Sequence, residues 1–136
     1  MNRQIVHDPL FLALKSEPAT EADKQVIADL LDTLRANLDR CVGMAANMIG
    51  VRKRVIVFCS GSMQMIMVNP RITSKAGEYE AEEGCLSLAG VRKAKRYQRI
   101  TVSYQDQAFR QRTGTFEGFT AQIIQHEIDH CDGILI

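Results

Sequence analysis

Val55-Ile56-Val57-Phe58-Cys59, the turn Gly61-Ser62, and then Met63 to Val68 form the stretch that decides the fold. The first run is short and β-branched, and glycine and serine follow it, so it reads as a strand. Met63 to Val68 then returns as the second arm of a hairpin, which Asn69-Pro70 is expected to end. Further along, Ile72 to Ala81 and Ile100 to Tyr104 read as strands, and Gln105-Asp106-Gln107 as a polar turn. Upstream the period is helical. Thr20 is a candidate N-cap with Asp23 three residues on, and Val26, Ile27, Leu30, Leu31, Leu34 and Leu38 follow at helical spacing. That pattern predicts one amphipathic helix of about five turns, packed by its leucine stripe. A last helix is expected over Phe119 to Cys131, with Gly133 as its stop. The fold class is α+β: antiparallel strands packed around a C-terminal helix, with an N-terminal amphipathic helix.

Composition bounds the rest. A chain of 136 residues, 46% hydrophobic and 24% charged, predicts a single globular domain over 1–136. Seventeen Lys+Arg against sixteen Asp+Glu leave a net charge of +1, which gives no support to bulk electrostatic binding of DNA, RNA or anionic lipid. The longest uncharged stretch, Val55 to Pro70, carries Ser60, Gly61, Ser62, Gln64 and Asn69, so no membrane span is expected. Asp8 stands where a signal peptide would need apolar residues, so a cytoplasmic location is expected. The four cysteines then read as reduced thiols, one of which binds metal or reacts.

The sharpest chemical signal is His126-Glu127-Ile128-Asp129-His130. Residues four apart share a helix face, so both imidazoles can reach one metal ion while Glu127 stands beside them. A surface helix with two solvated histidines would look the same, so a third ligand is needed. The metalloprotease pattern H-E-x-x-H-x-x-G-x-x-H runs as far as Gly133 and then fails, because Ile136 stands where the third histidine belongs. His7 is one candidate, although His7-Asp8-Pro9 reads more like a turn. Cys85 is better placed, in Glu82-Glu83-Gly84-Cys85-Leu86-Ser87. A Cys/His/His set with an open fourth position is sound zinc-type chemistry. A third segment, Cys41-Val42-Gly43-Met44-Ala45-Ala46-Asn47-Met48, has small residues at 43, 45 and 46. They suit either close approach to a ligand or a tight turn into the core.

Taken in order, the three segments resemble the peptide deformylases, whose motifs are G-Φ-G-Φ-A-A-x-Q, E-G-C-L-S and H-E-x-D-H. The resemblance implies that Cys85, His126 and His130 hold one divalent ion, usually Fe2+ in this family, with Zn2+ or Ni2+ as substitutes. It implies that Glu127 takes a proton from the attacking water and delivers it to the leaving amine, and that the Leu86 N–H faces the developing oxyanion. Val42 and Gly43 would pair with the substrate backbone as an added strand. Phe119 and Ile123 would line a methionine pocket, and Arg92 would help to hold the cysteine loop or the substrate. The implied activity is hydrolysis of the formyl group of N-formylmethionyl peptides. The expected partners are formylated nascent peptides, with transient association with the ribosome.

The first motif departs from the family pattern. Cys41 replaces its first glycine, Asn47 its common proline and Met48 its glutamine. In the family the glutamine amide donates to the oxyanion; a thioether has no N–H to give. Reduced turnover is therefore expected, and a deformylase-like binding protein with little catalysis is the alternative. Asn47 is not expected to replace that donor, because neighbours on an extended segment point to opposite faces. The chain also ends six residues after His130, short of the longer C-terminal segment of many bacterial members. Arg92, Lys93, Lys95, Arg96 and Arg99 form a basic cluster that reads as a solvated strand face sooner than an RNA site.

Overall fold

The computed structural model describes residues 1–136. A short helix α1 (Pro9–Leu12) precedes α2 (Lys24–Ala36). Five strands follow, β1 (Gly43–Ala45), β2 (Val55–Ser60), β3 (Met63–Gly84), β4 (Val91–Gln105) and β5 (Gln111–Glu117), and α3 (Gly118–Cys131) closes the chain. The strands form one antiparallel sheet in the order β1-β2-β3-β4-β5, and the chain is α+β. No helix is long and apolar enough to cross a membrane.

β2 explains why its sequence is apolar without alternation. Successive side chains of a strand point to opposite faces, and both faces of β2 are covered. Val55 and Val57 pack with Ile27, Leu30 and Leu34 of α2, while Ile56 and Phe58 pack with Ala121, Ile124 and Ile128 of α3. The sheet is thus held between the two helices where β1 and β2 run. Phe58 is fully buried and meets Phe116 edge-on at 6.2 Å. Truncation of such a ring to alanine costs about 3–5 kcal/mol.

The helix start is as expected: Thr20 accepts from the Ala22 N–H and Asp23 from the Thr20 N–H, a capping box on a 3₁₀ turn that runs into α2. Its end is not, since α2 stops at Ala36 and Leu38 is 44% exposed, outside the stripe.

Asn69-Pro70 does not end the second arm. β3 runs on through it, with register shifts between Val68 and Arg71 and between Ile72 and Ser74. Asn69 takes a positive φ of 51°, tolerable for this residue type. Its amide donates to the Ala19 carbonyl and to Gln105 Oε1, and its Oδ1 accepts from the Ala19 N–H. The missing N–H of Pro70 falls at a bulge, where a strand bends instead of stopping. β4 likewise starts at Val91, nine residues before the expected Ile100. The strand β5 was not expected at all; it is largely solvated, so burial imposes no apolar alternation on its sequence.

Contrary to the expectation from sequence, Asn47 and Met48 do not lie on an extended segment. They sit in a 3₁₀ turn, Ala46–Ile49, that follows β1 directly.

Candidate active site

The long β3 ends at Gly84, so Cys85 emerges where the sheet meets α3. Gly118, with φ of 62°, lets β5 turn straight into α3, which carries the histidines. Cys85 Sγ lies 3.3 Å from His130 Nε2, and that nitrogen lies 3.1 Å from His126 Nε2. The three ligand atoms all fall within 4.8 Å of one another, a group that could hold a metal ion. Two imidazole nitrogens this close cannot both present bare lone pairs to each other; a shared cation or a proton must intervene. The donor set therefore fits a divalent ion of borderline softness.

Behind the histidines lies a buried ionic network. His126 Nδ1 is 2.8 Å from Glu83 Oε1, which orients the ring and turns Nε2 toward Cys85 and His130. Arg96 donates to both Glu83 oxygens at 2.7 and 2.9 Å, and to Asp129 Oδ2 at 2.8 Å. Burial would raise the Glu83 pKa, yet the His126 and Arg96 hydrogen bonds outweigh it and hold it down at about 2. Burial opposes charge on His126 too, but its contacts with Cys85 and Glu83 push its pKa up to about 10. His130, buried beside that charge, is pushed down to about 3. The two rings are thus driven in opposite directions, His126 toward its charged form and His130 toward its neutral one.

Glu127 is 4% exposed, and its Oε1 has no hydrogen-bond partner. Burial pushes its pKa up to about 7, against the pull of His126. It faces a cavity of about 220 Å³ that Val42, Gly43, Met48, Leu86 and Ile123 also line. Gly43 is sterically required there: a Cβ would stand 2.7 Å from Ile123 Cγ2 and 3.0 Å from Glu127 Oε2. Val42 gives its carbonyl to the Cys59 N–H of β2, so Gly43, one residue on, turns its backbone groups away from β2. The Cys41 thiol, kept neutral by burial with a pKa pushed up to about 12, donates to the Gly43 carbonyl at 2.9 Å. Met48 is buried, its sulfur accepting from the Ala45 N–H at 3.4 Å.

The fold brings together Cys85, His126, His130, Glu127, Leu86, Val42, Gly43 and Ile123, with Phe119 at the rim and 62% exposed. Arg92 does not line the cavity; it donates to the Ala89 carbonyl in the loop after Cys85. His7 stands apart from the ligand cluster, its Nδ1 on the Ser87 carbonyl at 2.8 Å. The basic cluster divides. Lys93, Lys95 and Arg99 are exposed and pair with Glu80, Glu78 and Glu117. Arg96 belongs to no solvated face: it is 4% exposed and locked to Glu83 and Asp129. Sequence reasoning missed this role, although every second residue of a strand turns inward and Arg96 stands amid Lys93, Lys95 and Arg99.

Comparison with known proteins agrees with this geometry. The family model for polypeptide deformylase matches residues 3–136. The peptide deformylase of Clostridium beijerinckii is 58% identical over 136 residues, the full length of both chains. Peptide deformylase 2 of Clostridium acetobutylicum is 41% identical, covering 91% of this chain and 85% of its own. Among solved structures, the peptide deformylase of Legionella pneumophila superposes with a TM-score of 0.88 at 36% identity, over 99% of this chain and 83% of its own. The deformylase of Vibrio parahaemolyticus bacteriophage VP16T, solved with actinonin, gives 0.88 at 31% identity over the whole of both chains. Motifs, fold and whole-chain relatives coincide, and this chain belongs to the peptide deformylase family of hydrolases.

Proposed function

We propose that this chain removes the formyl group from N-formylmethionyl peptides, releasing formate and a free amine, and that it does so slowly for its family. The observation that carries this reading is Glu127: a buried carboxyl with an unpartnered oxygen and a pKa near 7, beside the convergent Cys85, His126 and His130. A group poised near neutrality can accept a proton from water and give it back within one turnover.

Cys85, His126 and His130 would hold the divalent ion that the family uses, Fe2+ by resemblance, with Zn2+ or Ni2+ as substitutes. Such an ion supplies Lewis-acid polarisation of the formyl oxygen and makes water easier to deprotonate. The protein's own groups do the rest. Glu127 takes one proton from water as the water oxygen bonds to the formyl carbon. It then gives that proton to the peptide nitrogen as the C–N bond breaks, so the base is restored. The Leu86 N–H stands for the developing oxyanion, and the Gly43 backbone groups offer hydrogen bonds to an added peptide strand. Ile123 and Phe119 give the methionine side chain an apolar wall, while Arg92 steadies the cysteine loop through Ala89.

Reduced rate follows from Met48, whose sulfur cannot donate where the family has an amide. A protein that binds formylated peptides with little turnover is the second reading, which Met48 favours and Glu127 opposes, since a pure binder needs no base. In both readings formylated nascent peptides are the partners, met transiently at the ribosome. Formate release from formyl-Met-Ala by anaerobically purified, metal-loaded protein tests the proposal. Formate above the metal-only background is expected; none would leave the binding reading in its place.

A further inference from the structure

Arg40, exposed, lines the same cavity, three residues before Gly43. Its guanidinium is held in place, with Nε and Nη2 on Asn37 Oδ1 at 3.2 and 2.9 Å. Asn37 is itself buried at the end of α2, its amide donating to the Thr33 carbonyl at 2.7 Å. The tether is neutral, and no carboxylate pairs with Arg40, although Arg54, Arg96, Arg99, Arg110 and Arg112 each have one. Nη1 and part of Nη2 remain free to donate, in the planar geometry that suits a carboxylate.

Its distance from the chemistry sets which substrate residue it can meet. Gly43 abuts Glu127, so a formyl group presented to Glu127 lies beside Gly43. Stepping back from Gly43 to Arg40 covers at most about 10 Å at roughly 3.3 Å per residue. Arg40 lies in the turn before β1, so this is an outer limit. A peptide strand added beside Gly43 covers that span in the three steps from its formyl group to its third residue, counting formylmethionine as the first, which brings that residue within reach of the Arg40 side chain. Glu82, which is exposed, also lines this cavity, and its carboxylate repels an acidic side chain from its own side.

We propose that Arg40 is a specificity-determining residue that favours substrates carrying a carboxylate on their third residue. The inference rests on the deformylase reading and adds the peptide preference to it. A rim ion pair of this kind is worth about three- to fivefold, appearing in KM while kcat stays level, and salt should weaken it.

The test compares formyl-Met-Ala-Glu-amide, formyl-Met-Ala-Gln-amide and formyl-Met-Ala-Lys-amide by kcat/KM at low ionic strength, with formyl-Met-Ala-Ser as free acid and as amide. The parent should prefer Glu to Gln by about three- to fivefold. Arg40→Gln should remove that preference, and Arg40→Glu should turn it toward Lys. If only the free acid gains over its amide, the carboxylate read by Arg40 is the chain terminus and not a side chain. Equal kcat/KM for all five peptides, or a Glu preference that survives in Arg40→Gln, would overturn the inference while leaving deformylation intact. Formate from none of them would instead bring down the deformylase reading, and this inference with it.

Discussion

The Arg96 guanidinium clasps Glu83 through two hydrogen bonds of 2.7 and 2.9 Å, with both side chains only 5% exposed. Arg96 lies on β4, Glu83 ends β3, and the third bond of Arg96 goes to Asp129 on α3. One buried cation therefore fixes the strand that delivers Cys85 to the helix that carries both histidines. Removing one partner of a buried ion pair leaves the other charge uncompensated, at about 3–5 kcal/mol. Arg96→Met should lower the urea unfolding free energy by that order. The double variant Arg96→Met, Glu83→Leu should recover only part of it, since it removes the stranded Glu83 charge but still deprives Asp129 of Arg96 and His126 of Glu83. A loss below about 1 kcal/mol in the single variant, the level of an exposed pair, would show that the clasp contributes little.

The same network gives the metal-free protein two opposed pH windows. Glu83 is held at about 2 in the fold against 4.5 when exposed. Its contribution is thus present above pH 4.5 and lost as pH falls from there toward 2. Glu127 behaves in reverse: its pKa rises from 4.5 to about 7, so the fold favours its protonated form, and stability falls as pH rises through that interval. Glu127→Gln should therefore stabilise metal-free protein at pH 8, by up to about 3 kcal/mol, and make little difference at pH 4. Thermal unfolding of chelator-treated parent and variant at both pH values measures this. Equal shifts at the two would mean that Glu127 does not titrate between them.

Metal content tests the ligand set independently of activity. Parent protein should retain one divalent ion per chain, and Cys85→Ala, His126→Ala should retain none by elemental analysis. Iron-loaded protein should lose activity in air faster than the nickel or zinc form, because ferrous iron and the Cys85 thiolate both oxidise. Stoichiometric metal in the double variant would place the ion elsewhere.

Glu127→Gln separates holding the ion from moving the proton. Size and shape are kept and the base is lost, so metal should remain while kcat falls about 10²–10⁴-fold. Formate release at the parent rate would remove Glu127 from the mechanism.

The candidate site was more legible in the sequence than the sheet that builds it. His126, Glu127 and His130 are read from spacing alone, because a helix of fixed period puts positions four apart on one face. The strands are harder, since their limits are set by partners far along the chain. Nothing local tells that β3 crosses Asn69-Pro70, because the bulge there is held by Ala19 and Gln105. Arg96 was misplaced for a related reason: its charge suggests solvent, and only the fold supplies Glu83 and Asp129. The position of Asn47 was misjudged as extended, but its exclusion as an oxyanion donor finds a better reason in the structure. Its amide is engaged with the His130 carbonyl at 3.0 Å.

That engagement sharpens the expectation for Met48. When water adds to the formyl carbon, negative charge gathers on the former carbonyl oxygen. In the proposed mechanism the Leu86 N–H would serve it, but the amide that the family places at position 48 is replaced by a thioether, which has no proton to donate. Met48 is 1% exposed and lines the cavity, so the group at this position faces the reaction without bulk water to replace it. Losing one such donor costs roughly 3 kcal/mol, or about 10²–10³ in turnover. Part of this is offset by the Lewis acidity of a bound ion. Met48→Gln should therefore raise kcat at least about tenfold with little change in KM, since the added bond strengthens only as the oxyanion forms. The substitution gives up the Met48 sulfur contact to the Ala45 N–H, a weak bond at 3.4 Å that the glutamine oxygen can accept in its place. Steady-state kinetics of parent and variant, loaded with the same metal to the same content, decide the matter. A kcat that is unchanged or lower in the glutamine variant would mean that the cavity has been rebuilt around Met48, and that slow turnover has another cause.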